Sequence, residues 1–176
     1  MAGEDVTAIG IVLSGGVHVL QEDFWGSRAI LSHVAPGELF AEAFSCAGVG
    51  SLPVSVITTE PSEILFLDYK RVATTCSSSC AFHTGLIKNM MQILAGGNVM
   101  LTQKIEHLTR HTTREKLLSY LSEQARQAGQ SAFEVPFNRQ ELADYLSVDR
   151  SAMSSELCKM RDDGILRFCK NHFELL

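Results

Sequence analysis

Residues 138–166, NRQELADYLSVDRSAMSSELCKMRDDGIL, constrain the fold more than any other stretch, because they read as two short helices separated by a tight turn. Apolar residues fall at Leu142, Ala143, Leu146 and Val148, then at Met153, Leu157 and Met160, so each half carries one buried stripe at helical spacing. Ala143 is small enough to let the two helices approach closely. Asp149 stands where the second helix needs an N-cap, and Arg150, Ser151, Ser154 and Ser155 make its outer face. Serine is a poor helix former, so that face is not explained by helix stability alone. The pattern is a helix-turn-helix, whose second helix offers its outer face to base edges in the DNA major groove.

Residues 164–176, GILRFCKNHFELL, read as a two-stranded hairpin turning near Asn171 and His172, and a helix-turn-helix followed by a hairpin is a winged helix. This stretch resembles the C-terminal domain of the Crp/Fnr family of bacterial transcription regulators. The residues that carry the resemblance are Arg139, Gln140 and Glu141 at the opening of the first motif helix, Asp149, Arg150, Ser151 and Ala152 at the entry to the second, and KMRDDGIL at residues 159–166. The resemblance implies an α+β chain with a partial cyclic-nucleotide-type β-roll, a long dimerisation helix and a C-terminal winged helix. It further implies a homodimeric regulator that reads a palindromic site on double-stranded DNA, with RNA polymerase a candidate partner there. The N-terminus has no signal-peptide layout and the sequence no membrane-span run, so a cytoplasmic location is expected.

Upstream, residues 9–12, 16–21, 29–34, 54–58 and 64–67 read as short strands, punctuated by Ser14, Gly15 and Gly16, by residues 23–26, by Pro36 and Gly37, and by Glu60 and Pro61. Such a series predicts a small antiparallel barrel or jelly roll. Within it VLSGG at residues 12–16 and PGELFAE at residues 36–42 resemble the turn and the effector cassette of the family's roll. Gly37, Glu38 and Glu42 are therefore the effector-pocket candidates. Family members begin with a helix and two or more strands before this point, so the chain reads as an N-terminally truncated member, or one whose start lies upstream, with a strand edge left open. By the resemblance, Glu42 occupies the place of the carboxylate that receives the ribose hydroxyl of a cyclic nucleotide. The family's phosphate-binding arginine and backbone donors are replaced here by Leu52, Pro53 and Val54, which offer no cation and, at Pro53, no N–H. That exchange argues against cyclic AMP as the effector.

A long helix is predicted over residues 81–110. Along it Ile87, Met91, Leu94, Asn98, Leu101, Ile105 and Leu108 alternate steps of four and three, the a/d seam of a parallel two-stranded coil, with Asn98 able to fix register. A second stripe at Leu86, Met90, Ile93 and Met100 is expected to pack on the chain's own roll. Gly96 and Gly97 each cost about 1 kcal/mol against alanine and are where a bend is expected. Residues 111–113 read as a hinge in which Thr113 caps the next helix, 114–127, with Leu117, Leu118 and Leu121 on its buried side; residues 133–137 read as a strand. The domains expected are thus 1–80, 81–111 and 112–176.

The net charge of -5 is unevenly spread: residues 1–80 hold three Lys/Arg against nine Asp/Glu, and residues 112–176 hold nine against ten. With no basic excess in the last domain, DNA binding depends on where individual cations point. Arg150 is the candidate for bidentate reading of a guanine, Ser151, Ser154 and Ser155 for base or phosphate contacts, and Arg139 and Thr113 for phosphate anchoring. Cys76, Cys80 and His83 share a helical face as C-x3-C-x2-H, where they could hold a soft metal or respond to redox state. A metal or iron-sulfur cofactor stays open on that spacing, although the cysteines that hold such clusters in family relatives lie in the N-terminal segment lacking here. Cys158 and Cys169 are read as packing residues. The rival reading is a redox- or metal-responsive dimer in which the winged helix is an interaction module. No glycine-rich phosphate loop, paired-histidine metal motif or nucleophile elbow supports an enzyme, and no run of about 18 apolar residues suggests a membrane span.

Overall fold

A computed structural model describes residues 2, 3, 8–68, 70 and 81–176. The chain forms two compact units, Met1–Met100 and Leu101–Leu176. The division falls inside one continuous helix, so the long helix belongs to both.

Six strands build the first unit: β1 (Ala8–Ser14), β2 (Val17–Glu22), β3 (Arg28–Val34), β4 (Leu39–Phe40), β5 (Ser55–Thr58) and β6 (Glu63–Asp68). They pair antiparallel in two three-stranded sheets, ordered β4-β1-β6 and β3-β2-β5. The alternation of β-branched residues explains the core, in which Val12, Val17, Val19, Val34, Phe40 and Val54 form one buried cluster. Gly10 is required because the Phe40 ring lies over its backbone; a Cβ there would collide with the ring at Cζ. A bulge falls between Val12 and Ser14, opposite Glu63 and Ile64, and leaves Leu13 exposed. Two elements, β4 and the six-residue helix α1 (Glu42–Ala47), are additional to those expected from the sequence.

The long helix α2 (Ala81–Leu108) passes through Gly96 and Gly97 without a break. The second stripe expected to pack on the roll does not bury: Ile93 and Met100 are exposed and Leu86 and Met90 half-buried. The seam is also in water, with Met91 67 %, Leu101 56 % and Ile105 60 % exposed.

In the second unit the tail of α2 is followed by α3 (Thr113–Ala128), β7 (Ala132–Glu134), α4 (Arg139–Leu146), α5 (Arg150–Asp162), β8 (Leu166–Cys169) and β9 (His172–Leu175), with the three strands ordered β7-β9-β8. Leu142, Ala143, Leu146, Met153, Leu157 and Met160 are buried as their spacing demands, and Tyr120 joins Leu117 and Leu121 in the core while Leu118 is only half-buried. Thr112, not Thr113, caps α3: its hydroxyl accepts from the Glu115 N–H while the Glu115 carboxylate accepts from the Thr112 N–H, a reciprocal pair that leaves Thr113 as the first helical residue. The wing turns at Lys170 and Asn171, one residue earlier than expected, with Lys170 in the left-handed region at φ 53°. Among the described residues, no helix is long and apolar enough to cross a membrane.

Candidate nucleic-acid interface

The second unit presents α5 on a scaffold that fixes both of its ends. Asp149 caps it, Oδ1 accepting from the Ala152 N–H at 2.8 Å and from the Ser151 hydroxyl at 2.6 Å, and these bonds hold the Asp149 carboxyl below its ordinary range. Arg114 at the start of α3 reaches across to Glu156 at 3.2 Å and to Asp163 at 2.6 Å, clamping the middle and the end of α5. Lys116 donates to the Leu146 and Ser147 carbonyls at the C-terminus of α4, where Ser147 takes the left-handed conformation that turns the chain into α5. These two cations are thereby engaged within the unit rather than offered outward.

The buried side of α5 is Met153, Leu157 and Met160, so its outward row is Ser151, Ser155 and Cys158, all exposed, flanked by exposed Arg150 and Lys159 and half-buried Ser154. Arg150 is the first helical residue and makes no ion pair among the described residues. The Ser151 hydroxyl already donates to Asp149, which leaves its oxygen as an acceptor toward an exposed base amino group and makes it a poor partner for phosphate. Cys158 and Cys169 are exposed, not packed. Cys158 follows Ser151 and Ser155 at steps of four and three, a spacing that places it on the same face and could have identified it in the sequence.

Arg139 is the clearest departure from expectation. Its side chain is turned inward, with the guanidinium 4.8 Å from the Phe168 ring centre and 4.9 Å from that of Phe173, and burial lowers its pKa. A phosphate cannot reach it in this conformation. The Arg-Gln-Glu opening owes its glutamate to capping: the Asn138 side chain accepts from the Gln140 and Glu141 N–H groups, and the Glu141 carboxylate accepts from the Asn138 N–H at 2.7 Å.

The last turns of α2 are seated in this same unit. Lys104 is 8 % exposed with its ammonium 4.1 Å from the Tyr145 ring centre, and His107 is 5 % exposed with Nδ1 2.8 Å from the Ser119 hydroxyl. Tyr145 stacks on Phe137 at 4.8 Å and leans on Tyr120 at 5.4 Å, so the two basic side chains enter an aromatic cluster. Burial pulls Lys104 down to about 8 and lowers His107 as well. Neither residue was singled out in the sequence; the available signal was two basic residues a helical step apart, beside the seam.

In the first unit, Gly37 sits at φ 88° and donates to the Val12 carbonyl, and the Glu38 carboxylate accepts from the Ala35 N–H at 2.8 Å. Both residues shape the turn before β4. Glu42 opens α1 after left-handed Ala41, and burial raises its pKa; one turn later, burial and the Glu42 charge raise that of Cys46. Residues 35–54 contain no Lys or Arg. Cys76 and Cys80 lie outside the described residues, and His83 packs edge-on to Phe82 at 5.6 Å. Among the described residues, no group of three His, Cys, Asp or Glu side chains is placed to hold a metal ion.

Residues 115–176 match the Crp-like helix-turn-helix domain and residues 1–79 the cyclic nucleotide-binding domain. No curated protein matches the sequence significantly. Solved structures share the fold at low identity. FixK2 from Bradyrhizobium japonicum is 20 % identical with a TM-score of 0.75, the match covering 99 % of this chain and 86 % of that one. The c-di-GMP responsive global regulator CLP of Xanthomonas campestris is 18 % identical at 0.77 over 99 % and 86 %. A transcriptional regulator of the CRP family from Thermus thermophilus is 18 % identical at 0.72 over 100 % and 86 %.

Proposed function

Because the chain belongs to the Crp/Fnr family of transcription regulators, we propose that it works as a homodimer that reads a palindromic DNA site through paired α5 helices and answers a signal other than cyclic AMP. The observation that carries the dimer is the α2 seam. Met91, Leu101 and Ile105 stand in water along one helical face, more apolar surface in one line than a solitary helix sustains, and a second copy covers it. Two-fold pairing sets the recognition helices on half-sites about one DNA turn apart, ~34 Å. Arg150 reads a guanine edge, Ser151 and Ser155 meet neighbouring base edges, and Thr113 at the start of α3 faces the backbone. Contact with RNA polymerase then converts site occupancy into a change in transcription.

The signal enters at the roll, through the surroundings of Gly37, Glu38 and Glu42 or through the thiols Cys76 and Cys80 with His83. Cyclic AMP is disfavoured electrostatically. Its phosphate would meet a carboxylate with no cation between residues 35 and 54, where charge-assisted bonds contribute about 1.5–3 kcal/mol each. The test of the whole reading is selection of bound duplexes from a random pool, with sedimentation of the free and DNA-bound protein. A palindrome bound by two protomers is expected; enrichment of no sequence, or binding by a single protomer, refutes it.

A further inference from the structure

We propose that Arg139 is a phosphate anchor held in store beneath the wing, and that DNA draws it out of the Phe168 and Phe173 rings onto a backbone phosphate. Its alternative role is a fixed rivet between α4 and the wing. The proposal rests on the DNA-binding reading above.

The first observation is what the guanidinium lacks. Both Nη1 and Nη2 are closed to water and have no hydrogen-bond partner among the described residues. An arginine carries five donors and cannot shed its charge, so burying two donor groups without an acceptor is costly. A residue meant only to fasten the wing would be matched with a carboxylate or carbonyl, as elsewhere in this unit. Arg114 has Glu156 and Asp163, Arg126 has Glu123, and Lys116 has two carbonyls. Arg139 has the two ring faces and the neighbouring Cys158 thiol, which offset its charge but accept no hydrogen bond from Nη1 or Nη2.

The second observation is where the cover comes from. Phe168 and Phe173 face each other across the β8–β9 ladder. Phe173 is fully buried and fixed, whereas Phe168 is only partly so, which makes β8 the side of the lid that can yield. Arg139 itself is the first residue of α4, behind the Asn138 cap, so the backbone from which it would extend stays in place while four side-chain torsions turn. The acceptor missing inside must come from outside, and for a DNA-binding unit that acceptor is a phosphate oxygen, which takes two guanidinium donors side by side.

The storage carries a predictable penalty, because free protein must give up the ring contacts before the anchor engages. Weakening the lid therefore tightens DNA binding, and does so only when the arginine is present. The experiment measures binding of a mixed-sequence duplex over a range of salt concentrations for the full chain, for Arg139→Met, for Phe168→Leu and for the double variant, with circular dichroism confirming that each is folded. Arg139→Met should reduce the slope of log affinity against log salt by ~0.9, the value for one phosphate contact. Phe168→Leu should leave the slope unchanged and tighten binding several-fold, an effect that vanishes in the double variant. An unchanged slope in Arg139→Met, or a Phe168→Leu effect of equal size in both backgrounds, overturns the proposal while leaving DNA binding intact. Absence of salt-dependent binding in the unaltered chain overturns both.

Discussion

Replacing Lys104 by methionine should make the second unit more stable at neutral pH, although it deletes a cation seated on an aromatic ring. Burial lowers the Lys104 pKa from 10.5 to about 8. Between those two values the unfolded chain holds a proton that the folded chain has released, so stability rises with pH across that window and falls as pH drops through 8. Below pH 8 the folded state carries the full cost of an enclosed ammonium. The fall from 10.5 to about 8, at 1.36 kcal/mol for each tenfold change in proton affinity, caps that cost at about 3.4 kcal/mol. The Tyr145 face, 4.1 Å away, offsets part of it, by roughly 0.5–2 kcal/mol for a desolvated cation–π contact. The net gain for Lys104→Met at pH 7 is then at most about 1.5–3 kcal/mol, reduced by any further contact the ammonium makes, and it shrinks toward zero or reverses near pH 10.

The assay follows from the distribution of chromophores. Trp25 and Tyr69 belong to the first unit, whereas Tyr120 and Tyr145, two of the three tyrosines, lie in the second, so urea titrations should be followed by tyrosine near-ultraviolet dichroism and compared with tryptophan fluorescence, which reports on the roll. Both proteins are measured at pH 7 and again at pH 9.5, and the difference between them isolates Lys104 from every other titrating group. A variant less stable than the parent at pH 7 would refute the reasoning, by showing that the ring contact outweighs desolvation. A parent whose stability fails to rise with pH relative to the variant would do the same.

Arg150→Ala should weaken the selected site by about 1–3 kcal/mol and relax preference at one base position; an equal loss on random DNA would reassign Arg150 to the backbone. Leu101→Glu should dissociate the dimer: Leu101 is 56 % exposed in the single chain, so each protomer forfeits about 1 kcal/mol of burial, and the two together weaken association at least ~10-fold before carboxylate desolvation is added. Unchanged sedimentation of that variant removes the seam assignment. Calorimetry with millimolar cyclic AMP should give no saturable heat; a micromolar affinity lost in Glu42→Ala would restore a nucleotide-gated regulator. Gly96→Ala and Gly97→Ala meet open space in the single chain, so each should stabilise α2 by about 1 kcal/mol, and a fall in melting temperature would mean that a partner backbone approaches there.

Local patterning accounts for what could be read from the sequence. Strands β1 to β3 are runs of Val, Ile and Leu bounded by glycine turns, and α4 and α5 repeat apolar residues at helical steps, so their existence and buried faces follow from period alone. Two residues of β4 and six of α1 are too few to show a period, and α1 starts after Ala41, a non-glycine at φ 62° that no composition signal announces. The other departures arise from residues far apart in sequence. Arg139 reads as an exposed helix-start cation until Phe168 and Phe173 fold over it, and Lys104 reads as solvated until Tyr145 arrives from α4. At the interface, spacing identified the outer face of α5, but a hydrogen bond decided what Ser151 can still do there.

The placement of Lys104 and His107 bears on how a signal at the roll would reach DNA. Gln103 bonds Glu123 at 3.1 Å, His107 bonds Ser119 at 2.8 Å, and Lys104 sits on Tyr145, so three residues within two turns fasten the end of α2 to α3 and α4. The Arg114 clamp and the Lys116 contacts then tie α3 to α5 and to the end of α4. Each link is a short polar or aromatic contact, so in the proposed dimer a turn or shift of the last part of α2 would pass to the recognition helix. The unit boundary at Met100 and Leu101 follows the Gly96 and Gly97 pair by a single helical turn, and two adjacent glycines with open space where a Cβ would stand lower the helix propensity of that turn. In the proposed dimer, a signal that changes how the α2 seams pair before this point alters the separation of the two α5 helices beyond it, and affinity for a fixed half-site spacing changes accordingly.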